Sequence, residues 1–207
     1  IQAIKTVDSF TAEPPCLQMY FASLTDHLRL RLAQVMDLHV DSLKKIEVKK
    51  ISVESIFLLT RKYSEFLQKL DFVDSGKLVA CFDSFLDAAA KTHFHTEFDR
   101  EVFLVNTFDI LALTKGYTEK LGARMSGLVE KKLGQHFGAL IKFTIAHEQM
   151  TDMSAKLVTS EMERLVVWFQ TNWKNEIEEI RRELIPLFPS AQLGKEIFAN
   201  AMTQLLL

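Results

Sequence analysis

Proline is nearly missing from this chain, and its absence is the first constraint on the fold. The four prolines are Pro14, Pro15, Pro186 and Pro189, and none falls between Pro15 and Pro186. A proline in a helix interior costs about 3 kcal/mol, so a span free of it admits long helices. Glycine is scarce as well, with seven residues in all. All-β folds need many turns and usually carry more of both. Only two cysteines occur, Cys16 and Cys81, so no disulfide framework follows and a reducing compartment is the default expectation. No apolar run reaches about eighteen residues, which excludes an ordinary transmembrane helix. An excess of either charge is lacking too: 25 Lys and Arg against 27 Asp and Glu leave a formal net charge of −2. A dedicated nucleic-acid binder would carry a basic bias. No charged leader precedes an apolar segment, so no signal peptide is read. The chain opens on Ile1 and stops within the apolar "MTQLLL", and the expectation is a fragment of a longer protein.

What is present is helical periodicity. With 207 residues, 48% hydrophobic and 25% charged, the chain can bury a sizeable core. After an extended leading segment over 1–15, Leu17, Phe21, Leu24, Leu28, Leu32 and Val35 set a stripe for a first helix running to about Leu43. "KKIEVKKIS" reads as a connection, with a short strand as the alternative. Ser52 is the expected N-cap of a second helix, whose stripe runs through Ile56, Leu59, Tyr63, Phe66, Leu67 and Leu70 to a stop at Asp74–Gly76. A third helix is expected from Gly76 to Thr92 and a fourth from Phe98 to Leu113, stopped at Lys115-Gly116. The next runs from about Thr118 to Met150, where Gly122, Gly127, Gly134 and Gly138 predict a bend or break. In "MERLVVWFQTNWKNEIEEIRREL", Met162, Leu165, Val166, Phe169, Trp173, Ile177, Ile180 and Leu184 recur every three or four residues against a charged opposite face. That pattern predicts a helix over about Met153–Ile185, with Phe169 and Trp173 in the core and Trp168 at the stripe's edge. A last helix starts near Ser190. The expected fold is all-α, an elongated stack of long antiparallel helices forming one region over 1–207, with a sub-bundle boundary near 115–125. No fixed internal repeat is evident.

Signatures of chemistry are few. "HFH" at His93–His95, with Glu97 and Asp99 nearby, is the best metal candidate, because alternate side chains of an extended segment face one way. No second His or Cys motif completes a tetrahedral set, and a polar interhelical turn is the simpler reading, so no metal or cofactor is expected. His147 and Glu148 in "AHEQ" are adjacent and diverge by about 100° on a helix, too far to act on one atom. His27 and His39 read as helical surface or satisfied imidazoles. Nothing resembles a zinc-protease helix, a phosphate-binding loop or a nucleophile elbow, so an enzyme is not expected. Lys44, Lys45, Lys49 and Lys50 could touch an acidic membrane at about 1 kcal/mol per well-placed charge, diluted by Asp41 and Glu47. A peripheral membrane-binding helical domain is therefore the alternative function.

Five collinear stretches carry a resemblance: "LLTRKYSEF" (Leu58–Phe66), "DREVFLVNTFDIL" (Asp99–Leu111), "FGALIKF" (Phe137–Phe143), "WFQTNWKNEIEEI" (Trp168–Ile180) and "ANAMTQLLL" (Ala199–Leu207). Together they resemble the C-terminal part of the vacuolar protein sorting-associated protein 52 family, from roughly residue 55 to the end, the first fifty residues adding little. None is a catalytic signature, and none has a binding role to carry over residue by residue. The resemblance implies a rod of helical bundles and a subunit of the Golgi-associated retrograde protein complex and its endosomal recycling relative. It further implies peripheral placement on trans-Golgi network and endosome membranes, with other tethering subunits, a GTP-loaded Rab GTPase and SNARE proteins as partners. A GTPase contact would use an exposed helical face with aromatic and basic groups. Arg61, Lys62 and Tyr63 offer one, since adjacent residues fan around a helix and Tyr and Arg are enriched at binding hot spots. The competing reading packs Tyr63 and Phe66 inward and leaves Arg61 and Lys62 solvated.

Overall fold

A computed structural model describes residues 15–70, 75–114, 116–148 and 155–206. The leading segment over 1–14, Asp74, Lys115, Met150, Met153 and the side chains of His147 and Glu148 lie outside the described residues. Seven α-helices, and no strand, occur among the described residues: α1 Pro15–Lys44, α2 Val53–Gln68, α3 Gly76–His93, α4 Glu97–Leu111, α5 Tyr117–Glu148, α6 Ala155–Leu184 and α7 Ala191–Leu206. The fold of the described residues is all-α, which the proline-free span permits. Pro15 opens α1 rather than preceding it; at a first helical position its missing N–H costs nothing and its fixed φ already suits the helix. The "KKIEVKKIS" connection holds a 3-10 turn at Val48–Lys50, not a strand.

The helix ends follow local chemistry. Ser52 Oγ accepts the Ser55 N–H at 3.3 Å and caps α2. At α4, Thr96 Oγ1 accepts the Asp99 N–H at 3.0 Å and donates to the Asp99 carboxylate at 2.6 Å. Ser190 Oγ accepts the Leu193 N–H at 3.2 Å ahead of α7. Gly116, at φ 86°, occupies the left-handed region between α4 and α5 that a side chain would resist. The four glycines of α5 do not break it, and the helix runs unbroken over 32 residues. Glycine weakens a helix by about 1 kcal/mol but, unlike proline, keeps its N–H and clashes with nothing.

The chain divides into two compact units, Ile1–Arg100 with Ile110–Tyr117, and Glu101–Asp109 with Thr118–Leu207. In the first, α1 packs on α3, and α3 meets the 3-10 turn. Its core joins Met36 and Val40 of α1, Ile56 and Leu67 of α2, and Leu78, Phe82, Phe85 and Leu86 of α3. The α1 stripe is shifted from expectation: Thr25, Met36 and Val40 are buried, while Leu17 and Val35 are exposed. In the second unit the core includes Phe103, Val105 and Phe108 of α4, Leu128, Leu133 and Phe137 of α5, Ile180 and Leu184 of α6, and Ile197 of α7. Arg124 donates to both carboxylate oxygens of Glu101, at 3.2 and 3.0 Å, and lies over the Phe108 ring at 5.1 Å.

The α6 stripe is only partly a core stripe. Leu165, Ile180 and Leu184 are buried, but Met162 is 53% and Val166 39% exposed. Phe169 and Trp173, expected in the core, are half-buried. Phe169 leans on Phe137 with ring centroids 6.0 Å apart and stacks on Trp173 at 6.4 Å, while Trp168 meets Phe137 edge-on at 6.2 Å. Periodicity names the apolar face of a helix; it does not say how far a neighbour extends along it.

Candidate functional site

The end of α1, the 3-10 turn, α2 and α3 together form the candidate site in the first unit. Successive residues turn by about 100° on α2, so Ile56, Thr60, Tyr63 and Leu67 point inward while Arg61 and Lys62 point outward. Tyr63 is 7% exposed, and its ring stacks on Phe82 with centroids 3.7 Å apart and planes at 15°. It is a core residue, and what remains exposed of it lines the floor of the groove that borders this core. Burial first, then the Asp83 carboxylate, holds its phenol above the ordinary range, so the group stays neutral. The Tyr63 hydroxyl lies near Tyr117 and Asp83 but completes no hydrogen bond of good geometry. Tyr117 is fully buried and donates its O–H to Asp83 at 2.9 Å. Its phenol is also raised, by burial and then by Tyr63 and Asp83.

Outside this core lies an apolar groove of about 290 Å³ walled by Leu43, Ile46, Leu59, Phe66 and Leu78. Exposed Lys62 and His39 also line it, and the His39 ring sits 5.0 Å from the Phe66 ring. A second groove of about 440 Å³ shares Leu43 and Ile46 and adds Lys44, Val48, Ala80 and Phe85. Cys81 lines it too, with its thiol 3.8 Å from the Val40 carbonyl oxygen. Lys44, Lys45, Lys49 and Lys50 are all exposed about the connection that follows α1. Glu47 takes Lys50 in an exposed ion pair at 2.6 Å, which leaves the patch less basic than its lysine count suggests. Hydrophobic walls with cations at the margin suit an apolar, acidic surface.

The histidine motif is used structurally. His93 Nε2 lies 3.2 Å from the Val48 carbonyl oxygen, and Asp99 is engaged by Thr96. Arg100 donates to the carbonyls of Phe94 at 2.8 Å and His95 at 3.2 Å, closing the turn. His93 and His95 do not join a three-ligand cluster among the described residues.

Sequence reasoning missed a different constellation, in the second unit. Lys132 and His136 of α5 meet Glu176, Glu179 and Glu183 of α6. His136 Nδ1 lies 2.7 Å from Glu176 and Nε2 3.3 Å from Glu183. The Lys132 ammonium pairs with Glu183, and that hydrogen bond is the first cause holding the Glu183 carboxyl below its ordinary value. The available signal was two spacings, Lys-x-x-x-His on α5 and Glu-x-x-Glu-x-x-x-Glu on α6, each placing its residues on one helical face.

Comparison with known proteins identifies the lineage. A family model described as "Vps52, C-terminal" matches residues 6–131. Vacuolar protein sorting-associated protein 52 B of Arabidopsis thaliana is 28% identical over 222 residues, covering 93% of this chain and 31% of the relative. The human vacuolar protein sorting-associated protein 52 homolog is 22% identical over 221 residues, covering 93% and 30%. That of Caenorhabditis elegans is 24% identical over 227 residues, covering 93% and 32%. The chain thus spans about a third of the length of these curated relatives. No solved structure matches it. The family match starts at residue 6, so the first fifty residues carry a signal that the five quoted stretches left out. With more than half of its length matched, the chain belongs to the Vps52 C-terminal family.

Proposed function

We propose that this chain is a non-enzymatic interaction module of a vesicle-tethering subunit acting in endosome-to-Golgi retrograde transport. It works peripherally on trans-Golgi network and endosome membranes, beside other tethering subunits and SNARE proteins. Its nucleotide-dependent partner is a GTP-loaded Rab GTPase. The observation that carries the contact is the groove on α2, where Lys62 borders an apolar trough walled by Leu59, Phe66 and Leu43, while Arg61 is exposed on another face of the same helix. Such a trough takes an apolar side chain of the partner, and the flanking Lys62 ammonium selects an acidic group at its rim.

The test is calorimetry of the full chain against a panel of Golgi and endosomal Rabs, each loaded with GTP or GDP. One Rab should bind in the GTP form, and Lys62→Glu or Arg61→Glu should weaken it by about ten-fold, equal to about 1.4 kcal/mol. A panel without nucleotide-dependent binding refutes the GTPase reading. Unchanged affinity in both variants refutes the groove as its site.

A second reading rests on Lys44, Lys45, Lys49 and Lys50, all exposed about one connection. It makes the chain a peripheral membrane-binding domain. Flotation with vesicles of acidic lipid, abolished by replacing the four lysines with glutamine, would support it. Chain that stays at the bottom of the gradient would dismiss it.

A further inference from the structure

The α5–α6 charge cluster has the makings of a ligand site. One donor atom from each of His136, Glu176 and Glu179 lies within 4.8 Å of the others. Glu176 and Glu179 are neighbours by their i, i+3 spacing on α6, and His136 reaches them from α5. The cluster sets three carboxylates (Glu176, Glu179 and Glu183) against one ammonium (Lys132) and the His136 ring. The cluster's own side chains therefore leave negative charge that a divalent cation would neutralise.

The geometry points to a divalent transition-metal site of the zinc class, held by His136 Nδ1, Glu176 and Glu179, with water completing the set. An imidazole beside two carboxylates favours zinc and its first-row neighbours over calcium or magnesium, which prefer oxygen alone. Three protein ligands and one open position form a recurrent zinc arrangement. A supporting contact lies on the far side of the ring. A metal-bound histidine gives its other N–H to a carboxylate, which fixes tautomer and orientation. Here His136 Nε2 already lies 3.3 Å from Glu183, and Lys132 anchors that carboxylate. Burial agrees: the His136 side chain is 11% exposed, whereas Glu179 is exposed and leaves a path of approach. To admit the ion, the 2.7 Å Nδ1–Glu176 contact opens toward the roughly 3.3 Å separation that tetrahedral bonds of about 2.0 Å impose. The glutamate arm has the rotamer freedom for that change. Bound metal would tie α5 to α6 and stabilise the unit by mass action.

The experiment is zinc titration of the metal-stripped full chain at neutral pH by calorimetry, with thermal melts run in parallel. One equivalent should bind saturably and raise the melting temperature. Glu179→Gln changes an exposed side chain and should leave the metal-free melt unaltered while weakening zinc by about ten-fold or more. Glu183→Gln should weaken it about 10- to 100-fold, by removing the carboxylate that orients the imidazole and one of the cluster's negative charges. A double His93→Ala, His95→Ala variant should bind as the parent does. Absence of saturable heat overturns the site. So does undiminished zinc affinity in both Glu179→Gln and His136→Ala, or a loss confined to the His93 and His95 variant.

Discussion

Truncation of Phe137 and of Trp173 should have unequal effects, although the sequence places both in the same apolar assembly. Phe137 is 1% exposed and meets Trp168 and Phe169. Phe137→Ala should therefore cost about 3–5 kcal/mol, the transfer of the ring plus the cavity it leaves. With a urea m-value of about 2 kcal/mol/M, the midpoint falls by roughly 1.5–2.5 M. Trp173 is half-buried, stacked on Phe169 and covered outside by Lys174 at 5.5 Å. An indole offers roughly 200 Å²; half of it at about 25 cal/mol/Å² gives a ceiling of about 2.5 kcal/mol for Trp173→Ala. Both tryptophans belong to the second unit, so their fluorescence follows that unit during a urea melt. A Trp173→Ala cost equal to that of Phe137→Ala, or a Phe137→Ala cost below about 1 kcal/mol, would refute this difference in burial.

The two buried tyrosines belong to the first unit and should separate in urea melts followed by circular dichroism. Tyr117→Phe deletes a hydrogen bond to the Asp83 carboxylate and should cost about 1.5–3 kcal/mol, while Tyr63→Phe removes a hydroxyl that completes none and should cost nothing measurable; the reverse order would refute the assignment. Asp109 gives a pH test, since burial first and Glu196 second raise its carboxyl above the ordinary 3.8. The folded state holds that proton more tightly than the unfolded one, so ionisation costs stability as pH rises through the raised value, and the cost is complete above it. Asp109→Asn should consequently melt at higher urea at neutral pH and lose that advantage below pH 3.8; an asparagine variant no more stable at neutral pH would refute it.

Much of the helical architecture was legible because it depends on local chemistry. The absence of proline, the caps at Ser52 and Ser190 and the stop at Gly116 each act within a few residues of the helix end they specify. What stayed illegible depends on neighbours. Val35 and Val166 lie on apolar stripes yet are exposed, because a stripe does not disclose where the covering helix stops. The candidate groove was half visible: adjacency showed that Arg61, Lys62 and Tyr63 could not share a face, but only the packed Phe82 decides that Tyr63 is the inward one. The His136 cluster draws on residues 40 and 47 positions apart and had no local signature joining them.

The glycines of α5 have a consequence for how that helix persists. Nothing stands within 4 Å of a Cβ built at Gly122, Gly127, Gly134 or Gly138, so no neighbour demands a missing side chain there. Each weakens the local helix–coil balance by about 1 kcal/mol against alanine. Through Gly134 and Gly138 the helix therefore depends on tertiary contact, and Phe137 between them supplies it against α6. Were α6 to lift away, this part of α5 would fray with it, its amides becoming open to solvent exchange while the better-buried turns around Leu128 and Val129 stayed closed. One helix would then hold two kinetic segments, a persistent first half and a second half whose order is lent by its neighbour.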